Sequence, residues 1–333
     1  MIVFFVEGTG FGHASRTWKV IKDLDGLAIS FGDGAKFLKS KGVNVIEISQ
    51  NYMLKFDNSS LDLSATLFEL IKRIKIEDLK KIKDIYSQAD IVVVDSSLLG
   101  IVVAKSMKKK IVMITNNPSA SAMINGITGD IVDRLVNTVI DMVDRIVIPD
   151  LPPPFTISLS NISGDLAKYT FIGPTVDVSD IKRGESDYIL FTNGAGFESD
   201  VSIDVGKIKA ISKNGLNIKG KNVKFVDNAR DYMGKAKAIV SHGGHSTIME
   251  SILLGKPMIF MPNPVYGERI NNIHGMEALG IGMGIKPEFI NETTLEIALS
   301  ILNEKRKFIK EISKIAKSMN GQKRLIEIIN EYL

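Results

Sequence analysis

The segment Ala238–Met261 constrains the fold more than any other part of the chain. Its first apolar run, Ala238–Val240, is long enough for a buried strand and ends at Ser241-His242-Gly243-Gly244. The two glycines predict a turn whose backbone N–H groups can closely approach an anion. Apolar residues at helical spacing then continue to a stop at Gly255-Lys256-Pro257, and a second apolar run follows. The segment therefore predicts a βαβ unit whose helix N-terminus can receive a phosphate group.

Three polar residues near the start of that helix add candidate roles. Ser246 and Thr247 are N-cap candidates, since their hydroxyls can accept hydrogen bonds from backbone N–H groups. Glu250 lies one turn further on, where its carboxylate could accept hydrogen bonds from ribose hydroxyls. The alternative is a solvated loop of an unrelated α/β protein, because Gly-rich turns are common.

The whole stretch resembles the donor-binding motif of inverting GT-B glycosyltransferases, which include the UDP-glucuronosyltransferases and the bacterial lipid II-forming GlcNAc transferase. The similarity runs from His242-Gly243-Gly244 through Gly255-Lys256-Pro257 to Asn272 and Gly280-Ile281-Gly282. Many relatives carry Asp-Gln before the asparagine, whereas this chain has Glu268-Arg269, so the transferred sugar stays open. The resemblance implies an α/β chain of the GT-B type, with two Rossmann-like domains facing across a cleft.

The resemblance also implies which residues bind a UDP-sugar. The Gly-rich turn and its hydroxyls would hold the diphosphate, Glu250 the ribose, and the Glu268-Arg269 pair the sugar. The full donor-binding set is Gly194, Gly196, Phe225, Val226, His242, Gly243, Gly244, His245, Ser246, Thr247, Glu250, Glu268, Arg269 and Asn272. For Phe225 and Val226, simple core packing is an equally good interpretation.

A second Gly-rich loop follows the apolar run Ile2–Val6, which predicts a buried first strand. Its glycines alternate, and His13 stands where a dinucleotide-binding fingerprint has its third glycine, so that fingerprint fails where helix packing needs it. The stretch Gly8–Arg16 instead resembles the N-terminal loop of the same glycosyltransferases, especially archaeal and bacterial members with a GHxxR ending. There the histidine faces the acceptor across the cleft.

His13 is therefore the predicted catalytic residue, because histidine can accept a proton from an attacking sugar hydroxyl near neutral pH. A phosphate contact, or a structural role capping the first helix, are the alternatives. Arg16 could pair with a phosphate or with Glu7, and Glu7 could orient His13. The predicted acceptor side comprises Gly10, Gly12, Arg16, Asp95, Ser96 and Asn116, the last three because they follow strands whose ends should share one crevice.

The chain of 333 residues suits two domains. Gly173-Pro174 is the hinge candidate, because a Gly-Pro pair lies between a strand and a polar stretch. We predict an acceptor domain over residues 1–172, a linker over 173–187, a donor domain over 188–315 and a C-terminal helix over 316–333 that crosses back.

Composition limits the partners and the location. A net charge of +4 suits an anionic sugar nucleotide but is too weak to indicate nucleic acid. The chain has no cysteine and no apolar run of membrane-spanning length, and its start in a strand leads us to expect no signal peptide. A basic amphipathic helix over Ser64–Tyr86 is either an ordinary surface helix or a contact with anionic lipid. We expect a cytoplasmic protein, peripheral on the membrane, with a membrane-anchoring partner or a second copy as possible partners.

These features favour an inverting transfer of GlcNAc from a UDP-sugar to a polyprenyl- or dolichyl-diphosphate-linked acceptor. Many retaining relatives carry a glutamate where this chain has His242, which favours a single displacement. No cofactor or divalent metal is expected, because Asp23-Leu24-Asp25 falls at a helix end. The rival interpretations are a UDP-GlcNAc 2-epimerase, which the GHxxR loop argues against, and a non-catalytic nucleotide-sugar-binding subunit.

Overall fold

Two parallel sheets organise the protein. The computed structural model describes residues 1–49, 56–57, 60–61, 75–118, 136–162, 165–192, 202–263 and 267–333. Within these residues lie one sheet of seven strands and one of six, each packed against helices. The predicted α/β fold with two Rossmann-like halves is confirmed.

The first sheet has the strand order β3-β2-β1-β6-β7-β8-β9, with every neighbouring pair parallel. Strands β1 and β6 are apolar apart from the last residue of β6 and buried throughout, as expected where helices cover both faces of a sheet. After β1 the chain adds β2 and β3 on one side of β1, and it then adds β6 on the other side. This reversal of strand order opens a crevice between the carboxyl ends of β1 and β6. The strands are β1 (Ile2–Val6), β2 (Leu27–Ser30), β3 (Val45–Glu47), β6 (Ile91–Asp95), β7 (Lys110–Ile114), β8 (Arg145–Ile148) and β9 (Tyr169–Phe171), while β4 (Phe56–Asp57) and β5 (Ser60–Leu61) form a separate pair.

The second sheet has the order β14-β12-β10-β15-β16-β17, again with parallel neighbours. From β10 the chain adds strands first on one side, with β12 and β14, and then on the other side, with β15, β16 and β17. This reversal of strand order between β10 and β15 places a second crevice at the carboxyl end of β15. The loop after β10, with the predicted residues Gly194 and Gly196, lies outside the described residues. The strands are β10 (Ile189–Phe191), β12 (Ala210–Lys213), β14 (Val223–Val226), β15 (Ala238–Ser241), β16 (Met258–Phe260) and β17 (Gly282–Gly284), while β11 (Ile203–Asp204) and β13 (Ile218–Lys219) pair separately.

Helices connect and cover these strands. The helix after β15 ends at Gly255, whose backbone is left-handed at φ 68°, and Pro257 then begins the approach to β16, as the sequence predicts. The helices are α1 (Gly12–Asp23), α2 (Gly32–Ser40), α3 (Ile76–Ser87), α4 (Leu98–Ser106), α5 (His245–Leu254), α6 (Gly267–Ala278), α7 (Glu292–Glu304), α8 (Arg306–Met319) and α9 (Gly321–Asn330).

The basic amphipathic helix predicted from Ser64 is described only in part. Helix α3 covers its C-terminal portion, with Lys80, Lys81 and Lys83, whereas residues 64–74 lie outside the described residues. Of the helices in the described part of the chain, none is long and apolar enough to cross a membrane.

The chain crosses between the halves more than once. Leu325 and Ile328 of α9 pack in the same core as Phe4 of β1. In the opposite sense, Leu151 and Ile157, which follow β8 of the first sheet, pack in the core of the second half. The two halves are therefore joined by buried side chains in both cores.

Candidate active site

Three polar residues of the first half converge because their strands are neighbours. His13 lies in the first turn of α1 after β1, Asp95 is the last residue of β6, and Asn116 follows β7. The strands β1, β6 and β7 are adjacent and parallel, so these residues meet at one edge of the sheet.

Asp95 is the centre of this group. Its Oδ1 lies 2.7 Å from His13 Nδ1, and its Oδ2 accepts a hydrogen bond from Arg16 Nε at 2.8 Å. Arg16 Nη2 also donates to Oδ1, which makes the ion pair bidentate. Burial alone raises the pKa of Asp95, but Arg16 and His13 outweigh it and hold the pKa below its usual range. Asp95 is therefore an anion at neutral pH.

The charge of Asp95 fixes the tautomer of His13. An ionised carboxylate can only accept, so His13 Nδ1 carries the proton and Nε2 has the free lone pair. Arg16 Nη2 lies 3.1 Å from the same Nδ1, because both groups donate to one oxygen. The His13 side chain is 26% exposed, so solvent and ligands can reach the ring that carries this Nε2 lone pair. The capping alternative is wrong, since the N-cap of α1 is Phe11, without a side-chain cap.

Glu7 has neither of the roles considered for it. Its Oε1 accepts hydrogen bonds from Thr9 N at 3.2 Å and Thr9 Oγ1 at 2.8 Å. Burial raises the pKa of Glu7, and the neighbouring His13 opposes that effect without cancelling it. The proposed pairing with Arg16 and orientation of His13 are both wrong, because Asp95 makes those contacts instead.

Ser96 holds a strained position beside this group. Its φ of 58° is left-handed, a conformation that a residue with a Cβ adopts at some cost. Its hydroxyl accepts a hydrogen bond from Arg16 Nη2 at 3.2 Å. The turn after β6 thus adds a hydroxyl oxygen to the two carboxylate oxygens of Asp95 that hold Arg16 in place.

The turn after β15 has the geometry of an anion site. Gly243 has a φ of 81°, and an added Cβ would lie 2.8 Å from Ile273 and 2.9 Å from Arg269 O. Nothing lies within 4 Å of a Cβ placed on Gly244, so open space faces that residue. The first intrahelical hydrogen bond of α5 runs from Ile248 N to Gly244 O, which leaves the three preceding N–H groups without intrahelical partners. These groups and the helix dipole favour an anion.

The predicted N-caps at Ser246 and Thr247 are wrong, because Gly244 is the N-cap and both residues lie inside the first turn. Ser246 Oγ instead donates to Gly12 O of the opposite half at 2.9 Å. His245 Nε2 lies 3.9 Å from Asp150 Oδ2, and both side chains are almost fully buried. Of His245, only the backbone is therefore available to a diphosphate.

His242 is also buried rather than facing the cleft. Its Nδ1 donates to Met261 O at 3.0 Å. Burial lowers its pKa to about 4, so the imidazole is neutral at pH 7. Its role is to hold the turn against β16.

Glu250 lies on α5 beside an arginine that sequence reasoning missed. Arg230 Nε donates to Glu250 Oε1 at 2.7 Å, and Arg230 Nη1 donates to Asp180 Oδ2 at 2.6 Å. Arg230 Nη2 also donates to Asp177 O in the predicted linker. Burial raises the pKa of Glu250, and Arg230 opposes this effect without cancelling it. Nothing in the local sequence marks Arg230, since its partners lie 20 and 50 residues away.

Two residues of α6 have different surroundings. Glu268 Oε1 accepts a hydrogen bond from Asn116 Nδ2 at 2.8 Å, which joins the two halves across the cleft. Asn272 is fully buried, donates to Gly243 O at 3.1 Å and accepts from Asn161 Nδ2 at 2.9 Å. The structure therefore places Asn272 behind the Gly-rich turn and not at a donor sugar, because both ends of its amide bond to protein.

The remaining predicted residues lie around the same cleft or at its margin. Gly10 has a left-handed φ of 70°, and Gly12 begins α1 with its Cα facing Ser246. Phe225 is 47% exposed on the edge strand β14, while Val226 packs partly against the second core. Among the described residues, no three His, Asp or Glu side chains form a group that could hold a metal ion.

Comparison with known proteins defines the class to which this site belongs. Residues 184–329 match the C-terminal domain of glycosyltransferase family 28. The solved glycotransferase of kitacinnamycin superposes on the whole chain with a TM-score of 0.73 at 15% identity, covering 98% of that structure. The fold is thus GT-B, and the protein is a glycosyltransferase.

Two relatives illustrate the range of similarity. An uncharacterized glycosyltransferase of Methanosarcina mazei is 26% identical, over 99% of this chain and 98% of its own. The UDP-N-acetylglucosamine–N-acetylmuramyl-(pentapeptide) pyrophosphoryl-undecaprenol N-acetylglucosamine transferase of Acetivibrio thermocellus is 24% identical over 161 residues, 46% of this chain and 42% of its own. The first relative matches along nearly the whole chain, whereas the second matches along less than half of it.

Proposed function

We propose that the protein transfers a sugar, with GlcNAc as the first candidate, from a UDP-sugar to an acceptor hydroxyl with inversion at the anomeric carbon. The observation that carries this proposal is the 2.7 Å contact between His13 Nδ1 and Asp95 Oδ1. It leaves Nε2 as the proton-accepting nitrogen of a partly exposed ring.

In the proposed reaction, the acceptor oxygen attacks the anomeric carbon opposite the diphosphate. The bond from that carbon to the diphosphate oxygen breaks, and the acceptor proton passes to His13 Nε2. One displacement inverts the configuration. The departing UDP carries the negative charge, which the N–H groups at the start of α5 and the helix dipole would stabilise.

The donor side of the proposal rests on the second crevice. The open space at Gly244 would receive the diphosphate, and Glu250, oriented by Arg230, would accept hydrogen bonds from the ribose. Glu268 and Arg269 would approach the sugar from the start of α6. GlcNAc is the first candidate because the partial relative from Acetivibrio thermocellus is named for that donor.

For the acceptor we propose a polyprenyl- or dolichyl-diphosphate-linked sugar, since the same relative is named for a pyrophosphoryl-undecaprenol acceptor. The three lysines of α3, Lys80, Lys81 and Lys83, lie within about one helical turn and would suit a peripheral contact with anionic lipid. No divalent metal takes part in the proposed reaction, and a membrane-anchoring partner or a second copy would hold the protein at the bilayer.

The test is a panel of UDP- and GDP-sugars incubated with the protein and a short polyprenyl-diphosphate-GlcNAc, read by mass spectrometry. A mass gain of one sugar from UDP-GlcNAc, with the anomeric configuration inverted by NMR, is expected. Transfer from another sugar nucleotide would change the proposed donor sugar and leave the rest of the proposal in place. Retention of configuration would remove His13 as the base, and epimerised donor without transfer would favour the rival epimerase.

A further inference from the structure

A cleft on the far side of the second half is lined largely by basic side chains. Its volume is about 320 Å³, and it lies between the linker residues Arg183–Ser186, helix α8 and the residues that precede β15 and β16. Because Lys237 precedes β15 and His242 follows it, the cleft is at the opposite edge of the sheet from the Gly-rich turn. Four strand residues span about 13 Å, so the two sites are separate.

The charges around this back cleft do not balance. Seven of its sixteen lining residues are Lys or Arg, and one, Glu185, is acidic. Glu185 is 83% exposed and lies 3.8 Å from Arg306, so it offsets little of that charge. Within the described part of the chain, neither Lys310 nor Lys317 forms a salt bridge.

The cations are held close enough to repel one another. Lys256 Nζ donates to the carbonyl of Gly184 at 3.0 Å instead of to a carboxylate. Burial lowers the pKa of Lys256, and the charges of Arg306 and Lys310 lower it further, while Glu185 opposes them without restoring the usual pKa. Burial and the charge of Arg183 likewise lower the pKa of Lys317. An ordinary lysine-rich helix face would keep its ammonium groups apart in water, so this arrangement favours a bound anion.

The spacing on α8 suits a ligand with more than one anionic group. Arg306, Lys310, Lys314 and Lys317 recur at intervals of three and four residues, which puts them on one side of the helix. Arg183 and Lys237 face this row from the other lining segments. Clustered Lys and Arg are the side chains that bind phosphate groups.

We propose that the back cleft binds an anion with two or more linked phosphate groups. Such chemistry occurs in free oligophosphates and in the head groups of polyphosphorylated lipids. This site is independent of the donor site, and the proposal does not rest on the proposed sugar or acceptor.

The test is calorimetric titration of the full chain with sodium tripolyphosphate. Lys310→Gln combined with Lys317→Gln is expected to weaken binding at least 10-fold. The matched control is Lys307→Gln combined with Lys323→Gln, which removes the same charge from exposed positions of α8 and α9 outside the cleft. The control is expected to change affinity less than 2-fold. Equal losses in both pairs, or absence of binding by the parent chain, would overturn the proposal.

Two further arms separate the sources and the sites. Saturating UDP should leave the tripolyphosphate affinity unchanged, and competition would mean that the probe occupies the donor site instead. Sedimentation with vesicles containing phosphatidylinositol bisphosphate tests the lipid source. Sedimentation that is lost in the Lys310→Gln, Lys317→Gln variant would identify a lipid head group as the ligand. Tripolyphosphate binding without sedimentation would identify a free oligophosphate. The lysine double variant should melt no lower than the parent chain, because it removes like-charge repulsion.

Discussion

Ser246 Oγ donates a hydrogen bond to Gly12 O at 2.9 Å, which joins the two Gly-rich loops of the protein directly. The loops belong to different sheets, and each follows the strand next to a reversal of strand order. Asn116 and Glu268 make a second direct contact across the same cleft. The two crevices therefore form one site, with a partly exposed histidine on one wall and a helix N-terminus on the other.

His13→Gln is expected to lower the rate of sugar transfer by roughly 100-fold or more, because the side chain would lose its proton-accepting nitrogen. Donor affinity should change little, since the diphosphate and ribose contacts lie on the other half. Single-turnover transfer and calorimetric titration with UDP-GlcNAc measure the two effects separately. His274→Gln, at an exposed position of α6, is the matched control and should keep the parent rate. Full turnover by His13→Gln would exclude this residue as the base.

The adjacent glycines Gly243 and Gly244 should respond differently to alanine. Gly243→Ala is expected to destabilise the fold by more than about 2 kcal/mol, because it combines a left-handed φ with contacts to Ile273 and to backbone. Gly244→Ala should cost at most about 1 kcal/mol as an N-cap change, yet its methyl group enters the open space proposed for the diphosphate.

Thermal melting and donor titration distinguish these effects. Gly244→Ala should weaken UDP-GlcNAc binding at least 10-fold with a melting temperature within a few degrees of the parent. Donor affinity equal to that of the parent chain would place the diphosphate elsewhere.

The ionisation of Glu250 should make donor binding sensitive to acid. Ribose hydroxyls donate to the carboxylate form, so affinity for UDP-GlcNAc should fall as pH drops through the raised pKa of Glu250, above the usual value of about 4.3. Arg230 lowers that pKa, so Arg230→Gln should move the midpoint to higher pH. Calorimetric titration across pH 4–8 measures it, and Glu250→Gln should remove the dependence. If the affinity of Glu250→Gln for UDP-GlcNAc fell with the same pH midpoint as that of the parent chain, the titrating group would be a residue other than Glu250.

The burial of His242 should weaken the fold in mild acid. Its pKa is about 4 in the native chain against 6.5 for the ordinary group, so the unfolded state binds more protons between these values. The free energy of unfolding should therefore fall as pH drops from about 6.5 to 4, by about 3 kcal/mol from this residue. Urea unfolding at several pH values measures the slope. His242→Gln should flatten it, and the exposed His274→Gln should not. An unchanged slope in His242→Gln would contradict the assignment.

Short-range sequence patterns correctly predicted those structural elements that depend on neighbouring residues in the chain. The βαβ unit around Gly243, the end of α5 at Gly255 and the buried strand β1 all follow from short-range spacing. The same patterns predicted N-caps at Ser246 and Thr247 that do not form, since a contact with Gly12 of the other half takes the Ser246 hydroxyl.

The sequence by itself determined the strands, the two Gly-rich loops and the residue types available to them. Only the tertiary structure decided which side chains meet: Asp95 and not Glu7 holds His13, Arg230 holds Glu250, and Asn272 supports a turn. The physical reason is sequence separation. His13 and Asp95 are 82 residues apart, and Ser246 and Gly12 are 234 apart, so these contacts depend on strand order and on the packing of the two halves.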